Sequence, residues 1–215
     1  MESKSKFCYT IFFLTLLFSF LSAQEVRYGL SFGYSNTSVT FIHEYKTDNP
    51  NPEDNYNLRA LVEIQPHPRF SFESGLKFFK SSYNMDVDYR AIIGPSPRFI
   101  STSLSYLSIP LNVNYYLPFL STVYISAGME GAFLISATTF VRYDDNSDIH
   151  IDESDRYKNF SRLFSVSFGI EHKFGNVILF LEPEYTKSFY EVSKNPTWVI
   201  DYFIESINLN IGLKF

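Results

Sequence analysis

From Val26 onward the chain alternates apolar and polar side chains with a period of two, over eight separate runs. The first sets Val26, Tyr28, Leu30, Phe32 and Tyr34 against Arg27, Gly29, Ser31 and Gly33. The second sets Leu58, Ala60, Val62 and Ile64 against Arg59, Leu61, Glu63 and Gln65, and the third Phe70, Phe72, Ser74, Leu76 and Phe78 against Ser71, Glu73, Gly75 and Lys77. In the fourth, Leu107, Ile109, Leu111, Val113 and Tyr115 alternate with Ser108, Pro110, Asn112 and Asn114. In the fifth, Ile125, Ala127, Met129, Gly131 and Phe133 alternate with Ser126, Gly128, Glu130 and Ala132. The sixth pairs Phe164, Val166, Phe168 and Ile170 with Ser165, Ser167, Gly169 and Glu171, and the seventh Val177, Leu179, Leu181, Pro183 and Tyr185 with Ile178, Phe180, Glu182 and Glu184. The eighth places Ile207, Leu209, Ile211, Leu213 and Phe215 against Asn208, Asn210, Gly212 and Lys214. Successive strand residues point to opposite faces, so each run predicts a strand with one apolar face and one polar or small face. No run carries the 3.6-residue period of an amphipathic helix.

The connections alternate too. Pro66-His67-Pro68-Arg69, Leu117-Pro118-Phe119-Leu120 and Gly175-Asn176 are tight-turn sequences. The others are long and polar, spanning roughly 36–56, 84–102, 137–160 and 191–203. Short and long in strict alternation predict an all-β fold: an eight-stranded antiparallel transmembrane β-barrel with short periplasmic turns and long outer loops. Strands of about 9–11 residues suit a tilted bilayer crossing, and closure leaves no edge facing lipid. A soluble sandwich or periplasmic lipocalin-like barrel would also alternate, but with its apolar face inward around an apolar ligand. The polar faces carry Arg27, Arg59, Glu63, Glu73, Lys77, Glu130, Glu171, Glu182, Glu184 and Lys214 at mid-strand. Mixed charges there predict a paired lumen network, with Lys173 among its cations, and favour the membrane barrel.

Residues 1–23 read as a signal peptide ahead of a barrel domain over 24–215. Lys4 and Lys6 precede an apolar core from Ile11 to Leu21, and Ser22-Ala23 supplies the small residues before cleavage. That core is too short to span a bilayer as a helix. Cleavage removes Cys8, which is the single Cys, and takes the net charge from -5 to -6. A chain free of thiols suits an oxidising envelope. The one long uncharged stretch, Phe99 to Met129, contains Pro110, Pro118, Asn112 and Asn114. Those residues rule out a membrane helix, since proline breaks it and asparagine is costly in lipid.

Composition sharpens this picture. Aromatics reach 19%, with 23 Phe and 16 Tyr, which excludes disorder. Their clusters at strand ends (Tyr115-Tyr116 and Phe119; Phe189-Tyr190, Trp198 and Tyr202-Phe203) predict interfacial girdles. Eighteen basic against 23 acidic residues offer no field for phosphates, so no nucleic-acid partner is expected.

The fourth run, Tyr106-Leu107-Ser108-Ile109-Pro110-Leu111-Asn112-Val113-Asn114-Tyr115-Tyr116, resembles the strand signature of PorT-like outer-membrane β-barrel proteins of the Bacteroidetes. In that family a glycine-rich strand follows the turn, and Ala127-Gly128-Met129-Glu130-Gly131 stands in that place. The resemblance implies an eight-stranded outer-membrane barrel. It brings in the alternative that the protein is an accessory of a secretion or transport system. The last run, with Ile207, Leu209, Ile211, Leu213 and Phe215, resembles the C-terminal signal read by the barrel-assembly machinery.

Candidate chemistry is sparse. His43, His67, His150 and His172 stand singly, without metal-ligand spacing. Asp144, Asp145, Asp148, Asp152, Glu153 and Asp155 lack the spacing of a calcium loop and read as a solvated acidic loop. No nucleophile elbow, triad order or phosphate loop occurs. We therefore expect no catalytic, metal or cofactor site. The expected partners are outer-membrane lipid, the assembly machinery and an envelope protein, met through the outer loops.

Overall fold

In the computed structural model the described residues are 25–42, 47–48, 51–86, 95–190, 192 and 201–215. The expected signal peptide at 1–23, His43 and Trp198 lie outside them. The strands are β1 (Glu25–Ile42), β2 (Thr47–Asp48), β3 (Asn51–His67), β4 (Phe70–Asp86), β5 (Pro97–Leu117), β6 (Leu120–Tyr143), β7 (Asp148–Asp152), β8 (Phe160–Phe174), β9 (Val177–Ser188) and β10 (Asp201–Lys214). A 3-10 turn, Ser154–Arg156, follows β7. Eight long strands pair antiparallel in the order β1-β3-β4-β5-β6-β8-β9-β10, and β10 pairs with β1 to close the barrel. The short β2 and β7 add to β1 and β6 beyond the barrel wall.

The pairing register fixes the barrel's shape. Stepping from Tyr28 through Val62, Ser74, Leu111, Met129, Phe164, Lys187 and Glu205 returns to β1 at Ser38, ten residues beyond the start. Eight strands with that stagger tilt by about 40° and enclose a backbone radius of about 8 Å. Such an interior holds side chains and little else.

The apolar runs face outward. Leu30 is 61% exposed and Leu111 62%, whereas Glu63 and Lys214 on the opposite face are fully buried. A soluble barrel would reverse this, so the lipocalin-like alternative falls. No helix among the described residues is long and apolar enough to cross a membrane.

Pro110 and Pro183 lie inside strands at positions where a ladder is interrupted. Between β4 and β5, pairing runs to Ser74↔Leu111 and resumes at Lys77↔Ser108, which leaves Pro110 in the gap. Its carbonyl accepts a hydrogen bond from Ser74 Oγ at 2.9 Å. Between β8 and β9, pairing stops at Ser167↔Glu184 and resumes at Ile170↔Leu181, with Pro183 in that gap. Residues without an N–H are thus placed where the ladder asks least of them.

The three tight turns occur where expected: Pro68-Arg69, Pro118-Phe119 and Gly175-Asn176, with Gly175 at φ 61°. The long connections differ from expectation. Within the segments 36–56, 84–102 and 137–160, read as loops, most of the described residues are strand. β6 is 24 residues long and β5 is 21, well beyond the 9–11 needed for a crossing. At 3.3 Å per residue and the tilt above, β6 rises roughly 60 Å, against an apolar band of about 25 Å. The polarity that suggested loops reflects strands standing in water beyond the bilayer, where neither face needs to be apolar.

Candidate functional site in the barrel interior

The inward positions of the eight strands meet in a ladder of ion pairs. Nearest the tight turns, Lys214 Nζ donates to Glu63 and to Glu171, each at 2.8 Å, with Arg27 Nη1 3.8 Å from both carboxylates. Glu63 also accepts from Tyr116 OH at 2.8 Å and from Ser71 Oγ. One step up, Arg59 bridges Glu73 and Glu182 at 3.0 Å each, and Tyr124 OH donates to Glu182 at 2.5 Å. Above these, Lys77 Nζ lies 2.9 Å from Glu130 and 3.0 Å from Glu184. Ser108 donates to Glu130 at 3.0 Å, and Asn208 and Asn210 to Glu184 at 3.2 Å each.

All ten interior charges named from the sequence therefore face the lumen, and each lies within 4.0 Å of an opposite charge. Lys173 does not join them; it is exposed beside the Gly175 turn. Six carboxylates face four cations. Hydroxyl or amide donors also reach Glu63, Glu130, Glu171, Glu182 and Glu184, whereas among the described residues Glu73 is held by the charges of Arg59 and Lys214 alone. Buried ions held this way need every partner, because removing one strands the others.

Aromatic rings fill the space between the layers. The Lys214 ammonium lies 5.1 Å from the Phe180 centroid and 5.3 Å from that of Tyr124, and Arg59 lies 5.8 Å from Phe180. Room for these rings comes from glycine. A Cβ on Gly169 would stand 2.0 Å from Tyr124 Cζ, and one on Gly212 2.4 Å from Phe180 Cζ.

Above the ladder, buried hydroxyl and amide side chains such as Asn55, Ser82, Thr102 and Thr139 share the lumen with an apolar cluster. Leu104, Tyr106, Ala132, Ala137, Leu163 and Ile204 form a buried cluster, with Phe79 stacked on Tyr106 at 5.1 Å. Two residues from connections complete it: Tyr157, after the 3-10 turn, and Val192, after β9. The Lys158 N–H donates to the Val192 carbonyl at 2.7 Å, tying the two connections together across the mouth. Tyr157 OH lies 3.3 Å from Tyr83 OH. Between ladder and cap, among Lys77, Glu130, Phe79 and Leu163, is a cavity of about 10 Å³, room for roughly one water.

The cap was not anticipated. Tyr157 and Val192 sit in segments read as loops, Leu104 lies between the 84–102 connection and the fourth run, and nothing local marks them as buried. Leu61, Ile178 and Phe180 were visible as apolar residues in the polar phase of their runs, which is the trace such inward packing leaves. Tyr116, expected in an interfacial girdle, points into the lumen instead, because it shares the phase of Asn112 and Asn114. Tyr115, its neighbour, faces outward against Phe70 at 5.0 Å.

His67, His150 and His172 are exposed. Among the described residues no group of three or more His, Cys, Asp or Glu is placed to hold a metal ion.

A closed barrel with an outward apolar band and an ion-paired interior defines a membrane-spanning β-barrel. The chain belongs to the outer membrane protein β-barrel domain family, whose model matches residues 22–193. No curated protein sequence matches it. Among solved structures it is similar to Ail of Yersinia pestis, at 13% identity over 89% of this chain and 99% of that one, with a TM-score of 0.46. It is also similar to Neisserial surface protein A, at 14% identity over 87% and 95%, with a TM-score of 0.43. The outer membrane protease OmpT of Escherichia coli is a third, at 10% identity over 90% and 97%, with a TM-score of 0.40.

Proposed function

We propose that this outer-membrane barrel is neither a channel nor an enzyme, and that it works through the strands and connections standing beyond the bilayer. The sealed interior carries this reading: three ion-paired layers lie beneath an apolar cap that two connections enter. The lumen offers substrate no entry, and its carboxylates are committed to cations. The strand extensions, by contrast, present Arg142 and Asp148 to solvent on β-structure, with Asp144 and Asp145 exposed on the turn between β6 and β7. Residues 1–23 would direct export. The outward row Ile207, Leu209, Ile211, Leu213 and Phe215 would serve the assembly machinery as the strand that closes on β1. A role beside a secretion or transport system is supported by the Tyr106–Tyr116 strand, whose motif resembles the PorT-like family.

Planar-bilayer recording tests the sealed lumen. The wild type should show no steady conductance. Tyr157→Gly with Val192→Gly should also show none, because the charged ladder remains below. Stable open channels in the wild type would refute the proposal.

A further inference from the structure

We propose that the outer surface of β8 and β9 binds the phosphate of an outer-leaflet glycolipid, with Arg162 as its anchor. Arg162 points outward and is exposed. On β8 it is the first charged outward residue above the apolar row Ile170, Phe168, Val166 and Phe164. Among the described residues it makes no ion pair or side-chain hydrogen bond, and it is not one of those with an interaction elsewhere.

Its surroundings are those of a headgroup site. Across one ladder Arg162 faces Gly131, which has no side chain of its own and over which the Phe160 ring lies, 3.2 Å from where a Cβ would stand. Across the other it faces Phe189, whose N–H donates to the Arg162 carbonyl at 2.9 Å. Phe160 and Phe164 flank it two residues away on the same face. Phe133 and Phe160 lie 5.1 Å apart and Phe164 and Phe189 6.2 Å apart, so four exposed rings occupy outward positions neighbouring Arg162. Lys187, opposite Phe164, is its diagonal neighbour on the same face and pairs with Glu205. Diagonal neighbours stand about 7–8 Å apart, a span one phosphate can bridge.

The site lies at the end of the apolar band away from the tight turns, at the level of the outer-leaflet headgroups. A lone cation is costly beside hydrocarbon and is stabilised by a lipid phosphate. The phenylalanines would take the acyl chains just below. This site lies on the lipid-facing wall and does not depend on the sealed lumen or on the outer strands.

Native mass spectrometry of the detergent-solubilised full chain tests this, titrated with diphosphorylated lipid A. Dephosphorylated lipid A, phosphatidylglycerol and inorganic phosphate serve as comparison probes. We expect Arg162→Gln to weaken lipid A binding about fivefold, the worth of one basic residue at a charged membrane surface. Glu205→Gln, which frees Lys187, should strengthen it, and Arg142→Gln, on the distant strand extension, should leave it unchanged. Equal binding of the dephosphorylated lipid, or of the Arg162→Gln chain, would overturn the proposal. Equal binding of phosphatidylglycerol would overturn the glycolipid as occupant, and displacement by inorganic phosphate would overturn a lipid site altogether. The shift in gel migration on heating reports folding for each variant. Should Arg162→Gln misfold, the dephosphorylated-lipid and Glu205→Gln arms still decide the matter.

Discussion

Replacing Lys77 with methionine removes one charge and leaves two carboxylates uncompensated. Lys77 Nζ stands 2.9 Å from Glu130 and 3.0 Å from Glu184, and all three side chains are at most 4% exposed. Breaking a buried pair by deleting one partner costs about 3–5 kcal/mol, because the remaining charge cannot regain water. Two carboxylates are stranded here, which favours the upper end. Ser108 still donates to Glu130, and Asn208 and Asn210 still donate to Glu184, which works against it. About 4 kcal/mol is a fair central figure on those grounds. With a urea slope of about 2 kcal/mol per molar, the unfolding midpoint should fall by about 2 M. The assay is reversible urea unfolding in lipid vesicles, followed by far-UV circular dichroism and by gel migration. The neutral triple variant, Lys77→Met with Glu130→Gln and Glu184→Gln, removes the stranded charge and should recover most of the loss. A Lys77→Met loss below about 1 kcal/mol would mean that water reaches the layer and the lumen is not dry. A triple variant no better than the single one would show that lysine packing, not charge pairing, sets the stability.

The rest of the molecule gives further tests. Gly169→Ala drives a Cβ to 2.0 Å from the Tyr124 ring and should cost about 1–3 kcal/mol by overpacking, read in the same unfolding assay. Leu111→Arg puts a charge on the lipid-facing wall and should cost about 2–4 kcal/mol near the bilayer midplane; a neutral effect would contradict the outward apolar face. Asp145 and Asp152 both have carboxyl pKa values below the ordinary 3.8. The Ser147 hydroxyl and N–H hold Asp145 down, and the Ser154 N–H and hydroxyl hold Asp152 down. A depressed value means the stabilisation is fully present above 3.8 and fades as pH falls below it. Amide protection at residues 144–156, taken relative to the intrinsic exchange rate at each pH, should therefore fall below pH 3.8 while protection of the barrel wall is kept. Protection at 144–156 that does not change across that range would refute the assignment.

Much of the fold could be read directly from the chain. A period of two fixes which residues share a face. It also shows that Leu30, Leu111 and Ile211 face the opposite way from Ser31, Asn112 and Asn210. Turn chemistry located the three short connections, since Pro68, Pro118 and Gly175 act within a few residues. Strand number and antiparallel order followed from those two local signals. The ten interior charges were legible for the same reason, because strand phase decides inward or outward before any partner is known.

Partner identity was not legible. That Lys77 serves Glu130 and Glu184, while Lys214 serves Glu63 and Glu171, depends on the ten-residue stagger. That stagger is a sum of registers around the whole ring, visible in no single strand. Strand length beyond the membrane was hidden because alternation weakens where water bathes both faces. The cap was hidden most deeply. Tyr157 and Val192 are buried by segments far away in sequence, so nothing in their own neighbourhood records it. Local periodicity and turn chemistry thus determined the wall of this barrel, and only closure of the sheet decided what its interior holds and what seals its mouth.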